Sequence, residues 1–214
     1  LGIDIDATFI RAAFSDLDGE FLYEIHLPTL ISGGFEAVMK QVGELIVKLL
    51  NRAEDKKARV FGIGISVCGI VNKHTGLLDY SPVLNWENVD VRKALRPYTD
   101  LRIELNNVAH LIALGELHYG IGKKYTDFIS INLGYGIGAG IIINEQPFYG
   151  VDGYAGEFGH IVVDKYSQRL GREGIPGTLE ALASGYGIKD IVLEGLKQNR
   201  PSVLSEMHPT KIHQ

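Results

Sequence analysis

Residues 129–160 read ISINLGYGIGAGIIINEQPFYGVDGYAGEFGH, and this stretch decides the fold. An apolar strand, Ile129–Leu133, runs into four glycines at 134, 136, 138 and 140. A second strand at Ile141–Ile143 and a polar turn at Asn144-Glu145 follow, and the stretch closes on Gly153-Tyr154-Ala155-Gly156-Glu157-Phe158-Gly159-His160. A glycine-rich turn between strands can present backbone N–H groups to a phosphate, because no Cβ bars the approach. Glu157 and His160, closely following, make the pattern more specific than a lone glycine run.

The same scheme opens the chain. Gly2–Ile5, Ile10–Phe14 and Phe21–Ile25 read as strands, with the turn Asp16-Leu17-Asp18-Gly19 between the last two. A helix follows, in which Phe35, Val38, Met39, Val42, Leu45, Ile46 and Leu49 recur at 3/4 spacing. Strands at Val60–Val67 and Leu101–Glu104 and a helix from about Asn107 to Tyr119 complete a first unit. Strands at Phe128–Leu133, Gly140–Asn144 and Gln146–Tyr149 begin a second. This order predicts α/β layers around mixed sheets, with an N-terminal lobe over 1–121, the start of a second lobe over 122–214 and a boundary near Ile121–Tyr125. The tail 199–214 lacks periodicity and reads as loosely ordered.

Bulk properties narrow the function. Hydrophobic residues at 45% and charged residues at 22% are those of a soluble globular chain. A net charge of −5 argues against these residues forming a nucleic-acid surface by themselves. The single cysteine, Cys68, excludes an internal disulfide and a multi-cysteine zinc site, and it fits a reducing cytoplasm. No apolar run is long enough for a membrane span. The chain opens on a strand without methionine, so residues are expected upstream.

Several segments together resemble the ROK family of sugar repressors and sugar kinases, whose members have the two-lobed, actin-like (hexokinase-type) fold. The glycine turn followed by Ala155-Gly156-Glu157-Phe158-Gly159-His160 is similar to its AGExGH signature. Gly2–Thr8 stands where the family has a first phosphate loop, GxDxGGT. Gly62–Val71 is similar to GxGxPGxVD, Tyr80–Trp86 to SPNLxW, and Leu179–Gly185 to LExxASG. Within the family the wording is closest to xylose-repressor-like regulators. Members carry a further segment that completes the second lobe, so this lobe is expected to be incomplete here.

The resemblance also shows what has changed. The first phosphate loop has Asp6-Ala7 in place of two glycines, beside Asp4 and Thr8. The second keeps Gly134, Gly136 and Gly138 but has Tyr135 for the usual threonine. Both read as degenerate phosphate loops, serving chiefly as structural turns. The family's ENDxN becomes Asn106-Asn107-Val108-Ala109-His110, which puts Val108 at the catalytic base, or Asn107 if the register moves by one. Neither accepts a proton from a sugar hydroxyl. Glu104 could substitute only by another geometry, and His110 reads as a packed or surface residue. The zinc cysteines that follow GH in many members are replaced by Gly171–Thr178, so a Cys₃His site cannot form. Asp164, Glu173 and His160 remain as a weaker candidate metal set.

What the resemblance retains is the sugar pocket: Gly69, Asn107, Glu157, His160 and Glu180. Carboxylate, amide and imidazole groups suit vicinal hydroxyls, which both donate and accept. These residues imply a sugar-sensing effector domain of a transcriptional regulator, with no catalytic residue and no cofactor. The expected partners are a sugar effector and DNA, the latter through an N-terminal winged helix-turn-helix outside this chain, in a homodimer or homotetramer. The alternatives are an ATP-dependent, glucokinase-like sugar kinase using Mg–ATP, and a scaffold with an inert pocket.

Overall fold

A computed structural model describes residues 1–206. Its central sheet has five strands: β1 (Gly2–Ile5), β2 (Phe9–Ser15), β3 (Phe21–Pro28), β4 (Ile63–Val67) and β8 (Ile103–Asn107). They lie in the order β3-β2-β1-β4-β8. β1–β3 pair antiparallel, whereas β4 pairs parallel to both β1 and β8. The mixed sheet predicted from the sequence is therefore present. Ile3, Ile5, Ile10, Ala12, Phe14, Ile63, Ile65 and Val67 bury one continuous apolar layer. Helix α1 (Gly34–Asp55) supplies the facing layer through Val38, Met39, Val42, Leu45, Ile46 and Leu49, each no more than 3% exposed. Full burial of side chains of this size contributes about 1.5–3 kcal/mol apiece.

A small sheet of three short strands, β5 (Ile70–Val71), β6 (Leu78–Ser81) and β7 (Trp86–Val89), follows β4. Trp86 packs edge-on against Phe35 of α1, with ring centroids 5.1 Å apart. A short helix α2 (Val91–Leu95), capped by Asp90, adds Val91 and Leu95 to the same core. These strands have two to four residues each, too few for a period-2 pattern to stand out in the sequence.

The second unit is the antiparallel sheet β11-β10-β9, made of β9 (Phe128–Leu133), β10 (Ile137–Ile143) and β11 (Gln146–Phe148). β10 begins at Ile137, so Gly138 and Gly140 lie within a strand rather than in the turn. Their lack of a side chain has a packing reason. Helix α3 (Val108–His118) lies directly on β10, and a Cβ at Gly140 would collide with the Ala109 carbonyl oxygen and the Ala113 Cβ. Ala113, Leu117 and Ile142, with Leu114 and Phe128, form a second, smaller core. Helix α4 (Leu179–Ala183) and helix α5 (Gly185–Lys197) follow, capped by Thr178 and Ser184. A short 3₁₀ turn over Val203–Glu206 occupies part of the 199–214 tail, and residues 207–214 lie outside those described.

This packing has a measurable consequence. Gly140→Ala is expected to lower unfolding stability by about 1–3 kcal/mol, the usual range for forcing extra atoms into a close-packed contact. Gly64→Ala, where a Cβ meets nothing within 4 Å, is expected to leave it nearly unchanged. Urea unfolding of both variants tests the contrast.

Candidate functional site

The site forms at the seam between the two units. β8 ends on Asn106 and Asn107, one turn later than the strand predicted at Leu101–Glu104, and α3 starts on Val108. Asn107 is the N-cap: its backbone is extended (φ −64°, ψ 140°) and its Oδ1 accepts the Ala109 N–H at 2.7 Å, as short polar side chains do at this position. Its Nδ2 donates to the Gly69 carbonyl at 2.7 Å. Two predicted pocket residues are thus bonded directly. At Gly69 a Cβ would stand 2.5 Å from the Tyr80 carbonyl oxygen, so the turn after β4 admits only glycine.

From the other side comes the segment after β11. Gly156 presses on β10, with the Ala139 N–H donating to its carbonyl at 2.8 Å. His160 lies on a 3₁₀ turn over Phe158–His160. Its Nε2 is 3.5 Å from Glu157 Oε2 and its Nδ1 is 2.9 Å from Glu173 Oε2. The carboxylate hydrogen bond with Glu157 raises the His160 pKa, burial opposes that rise, and the charges of Glu173, Glu157 and Glu180 add to it. Glu180, on α4, is 8% exposed, and its Oε2 accepts the Ile137 N–H at 3.2 Å. It lies directly beneath the glycine turn, where a Cβ at Gly136 would approach its carboxylate to 2.6 Å.

Cys68 locates the remaining groups. Burial first, then the charge of Asp6, raises its thiol pKa to about 11; Arg172 opposes this, and Glu157 and Glu180 add to it. Asp6, Cys68, Arg172, Glu157 and Glu180 therefore share one electrostatic neighbourhood. The two candidate phosphate loops are largely engaged within the protein. Asp4 pairs with Arg11 at 3.0 Å, and Asp6 Oδ1 accepts the Thr8 N–H at 3.1 Å. In the glycine turn, the carbonyls of Gly134 and Tyr135 accept the N–H groups of Gly185 and Tyr186 at the start of α5, at 2.9 and 3.1 Å. Arg172 stacks over Tyr135, 4.8 Å from its ring centre. Tyr135 thus fills space beside the turn with a large ring and a cation.

Sequence reading missed the cluster behind Asn107. His110, one turn into α3, is 3% exposed. Its Nε2 is 2.9 Å from the Ala155 carbonyl and its Nδ1 is 3.3 Å from Asn106 Oδ1. Tyr149 packs edge-on against the His110 ring, accepts from Asn106 Nδ2 through its hydroxyl, and carries Lys73 over its face at 3.9 Å. The cluster ties α3 to the loop that bears Glu157. Nothing in the spacing of Lys73, Asn106, His110 and Tyr149 along the chain would have joined them.

A zinc site of the Cys₃His type does not fit here. The residues near His160 supply carboxylates and no thiolate, and Cys68 is held as a neutral thiol. Asp164, one of the weaker candidate ligands, accepts the Tyr166 N–H instead. Among the described residues, no group of three or more His, Cys, Asp or Glu is placed to hold a metal ion.

The two histidines titrate in opposite senses. His160 has a folded pKa above the ordinary value of about 6.5. Its stabilisation is full below that pH and is lost as pH rises through the folded value. His110 is shifted down, by burial first, so its contribution is present above about pH 6.5 and lost as pH falls through the folded value. His160→Gln should therefore remove a fall in stability as pH rises above about 6.5, and His110→Gln a fall as pH drops below about 6.5. Urea midpoints measured from pH 5 to pH 8.5 separate the two.

Comparison with known proteins identifies the family. The ROK family model matches residues 1–212. A glucokinase of Halalkalibacterium halodurans is 31% identical over 205 residues, covering 96% of this chain and 62% of that protein. A xylose repressor of Caldicellulosiruptor bescii is 32% identical over 198 residues, covering 92% of this chain and 49% of that protein. The chain thus spans between half and two-thirds of the length of these relatives. Among solved structures, a ROK family transcriptional regulator homologous to the E. coli MLC protein superposes with a TM-score of 0.84 at 25% identity, over 96% of this chain and 52% of that one. A ROK family glucokinase from Streptomyces griseus, in complex with glucose and AMPPNP, gives 0.79 at 27% identity, over 92% and 61%. With repressors and kinases alike among its relatives, and the actin-like fold of both, the chain belongs to the ROK family.

Proposed function

We propose that this chain is the sugar-sensing effector domain of a ROK-family transcriptional regulator and that it does not transfer phosphate. The observation that carries this reading is the start of α3. Val108 is its first residue, where the family resemblance puts the catalytic base, and a valine takes no proton. The neighbouring register offers Asn107, whose amide is neutral and bonded to Gly69 and Ala109. Glu104 is 61% exposed in its side chain and paired with Arg102. His110 is buried against the Ala155 carbonyl. Each substitute base is therefore either non-ionisable or already engaged.

The sugar would lie between Asn107 and the turn at Gly69 on one side and Glu157, His160 and Glu180 on the other. Buried hydrogen bonds to charged groups contribute about 1.5–3 kcal/mol each, enough for effector recognition. Because the groups come from two structural units, a sugar that bonds to both favours the closed arrangement and shifts that population. The regulator would act in the cytoplasm as a homodimer or homotetramer, passing closure to DNA through a winged helix-turn-helix outside these residues. Among the described residues no helix is long and apolar enough to cross a membrane. The reading assigns no cofactor; Mg–ATP belongs to the kinase alternative, which the glucokinase relatives and the retained glycine turn support.

A thermal-shift panel tests the proposal. Xylose, glucose, mannose and N-acetylglucosamine are offered with and without MgATP. A sugar at 100 times its Kd adds about 2.7 kcal/mol, roughly 5–10 °C for a domain of this size. One sugar is expected to raise the midpoint equally with and without MgATP. A shift that requires MgATP would favour the kinase, and no shift would leave only an inert scaffold.

A further inference from the structure

Residues 149–155, between β11 and Gly156, lie outside helix and strand and reach from the second unit to the first. The segment closes on itself at a neck, where the Ala155 N–H donates to the Tyr149 carbonyl at 3.0 Å. Gly150 and Gly153 turn it at φ +71° and +88°. Val151 and Tyr154 are exposed, so polar and ring contacts hold it rather than an apolar core. His74 Nε2 is 3.2 Å from the Val151 carbonyl oxygen, Asn106 Nδ2 donates to the Tyr149 hydroxyl at 3.2 Å, and Lys73 Nζ stands 3.9 Å from the Tyr149 ring centre. His110 touches both residues of the neck. Its Nε2 is 2.9 Å from the Ala155 carbonyl oxygen, and its ring packs edge-on against Tyr149 with centroids 5.0 Å apart.

The His110 ring meets acceptors on both sides. Asn106 Oδ1 accepts the Asn107 N–H at 2.9 Å, which fixes the orientation of that amide, and the same oxygen is 3.3 Å from His110 Nδ1. A neutral imidazole has one proton to give, and the shorter bond to Ala155 places it on Nε2. A charged ring would serve both acceptors, but it would be a cation only 3% exposed, against the same tyrosine that carries Lys73. Burial is the largest influence and lowers the His110 pKa; the Ala155 carbonyl opposes this, Lys73 adds to it, and Glu157 opposes it. Lys73 is itself shifted down by burial, with Glu104 opposing. The neck therefore keeps its hold above about pH 6.5 and loses it as pH falls through the folded value of His110.

We infer that residues 149–155 form a proton-released strap across the seam: neutral His110 latches the neck, and protonation of His110 frees the neck and, with it, Glu157 two residues further on. The strap yields before the helix does. α3 is fixed on β10 by the contacts of Ala109 and Ala113 with Gly140, so a charged His110 reaches water by lifting the neck. The resemblance puts the last asparagine of ENDxN where His110 stands, and an asparagine takes no proton, so the latch belongs to this chain's own sequence. Its control over a sugar rests on the function proposed above.

Hydrogen–deuterium exchange of the peptide spanning 149–157 tests the strap without a sugar, with rates corrected for the intrinsic pH dependence of exchange. Wild-type protection is expected to be constant above about pH 6.5 and to fall below it, by at most about tenfold per pH unit, the limit for one proton. His110→Gln keeps an amide donor and cannot become charged, so its protection should be the same at every pH; an acid loss equal to that of the wild type would overturn the latch. His74→Gln should retain the acid loss, and a flat profile there would assign the switch to His74 and overturn the role of His110. Lys73→Gln, which leaves His110 in place, should move the loss to higher pH because that cation opposes the charged ring; an unmoved profile would count against the latch even if His110→Gln does not fold. In the second arm, whichever of xylose, glucose, mannose and N-acetylglucosamine shifts the wild type should bind more weakly below about pH 6.5 with the same one-proton slope, and His110→Gln should not show this. His160 titrates above that pH, so its effect falls in a different window. Affinity that is flat on the acid side in the wild type would overturn the control of the site, whereas no shift with any sugar would overturn the sugar reading and leave the strap to the exchange arm.

Discussion

The geometry of the site depends on one residue at one junction. Asn107 ends the central sheet, caps α3 and bonds the turn at Gly69, so a single amide fixes the last strand of the first unit to the helix that packs on the second. Were that cap lost, the Ala109 N–H at the head of α3 would lose its partner. The close approach of α3 to Gly138 and Gly140 holds the other end of the same connection. Two small local rules, an asparagine cap and a glycine contact, thus hold α3 between β8 and β10.

On the proposed reading, the same junction would let a chain keep a ligand site while giving up a reaction. Proton abstraction needs an ionisable group at a single place, and the residue proposed to stand there, Val108, is not ionisable. Sugar recognition depends on several groups spread over both units, each held by its own local structure. Glu180 is tied to the Ile137 N–H, His160 lies between two carboxylates, and the Glu157 loop is tied to α3 through His110. Beside the glycine turn stand the Tyr135 ring with Arg172 over it and the start of α5, whose first N–H groups bond the turn's carbonyls. Selection on ligand sensing alone would leave such a pattern.

Much of this was legible in the sequence because it rests on local signals. The periodicity of α1 gave its buried face residue by residue, and alternating strands with glycine-rich turns gave both sheets. The pocket residues were legible only through their likeness to family motifs, since no spacing rule connects Asn107 to Gly69 across 38 positions. Three features were hidden. The sheet of β5, β6 and β7 is too short to show alternation. Gly138 read as a turn residue, and the reason for glycine at 138 and 140, the close approach of α3, is a contact between distant segments. The Lys73–Tyr149–His110–Asn106 cluster arises from tertiary packing, which one-dimensional patterns do not record.

The central claim is that the cleft holds sugar without a base to activate it. The most direct measurement is ³¹P NMR of the wild-type protein at near-stoichiometric concentration with MgATP and the sugar that stabilises it, followed over several hours. The account predicts an unchanged ATP spectrum and no sugar-phosphate resonance, with the sugar bound throughout. A sugar-phosphate signal that grows with time and disappears in Glu157→Gln would contradict it, and would make the chain a kinase whose base is not at position 108.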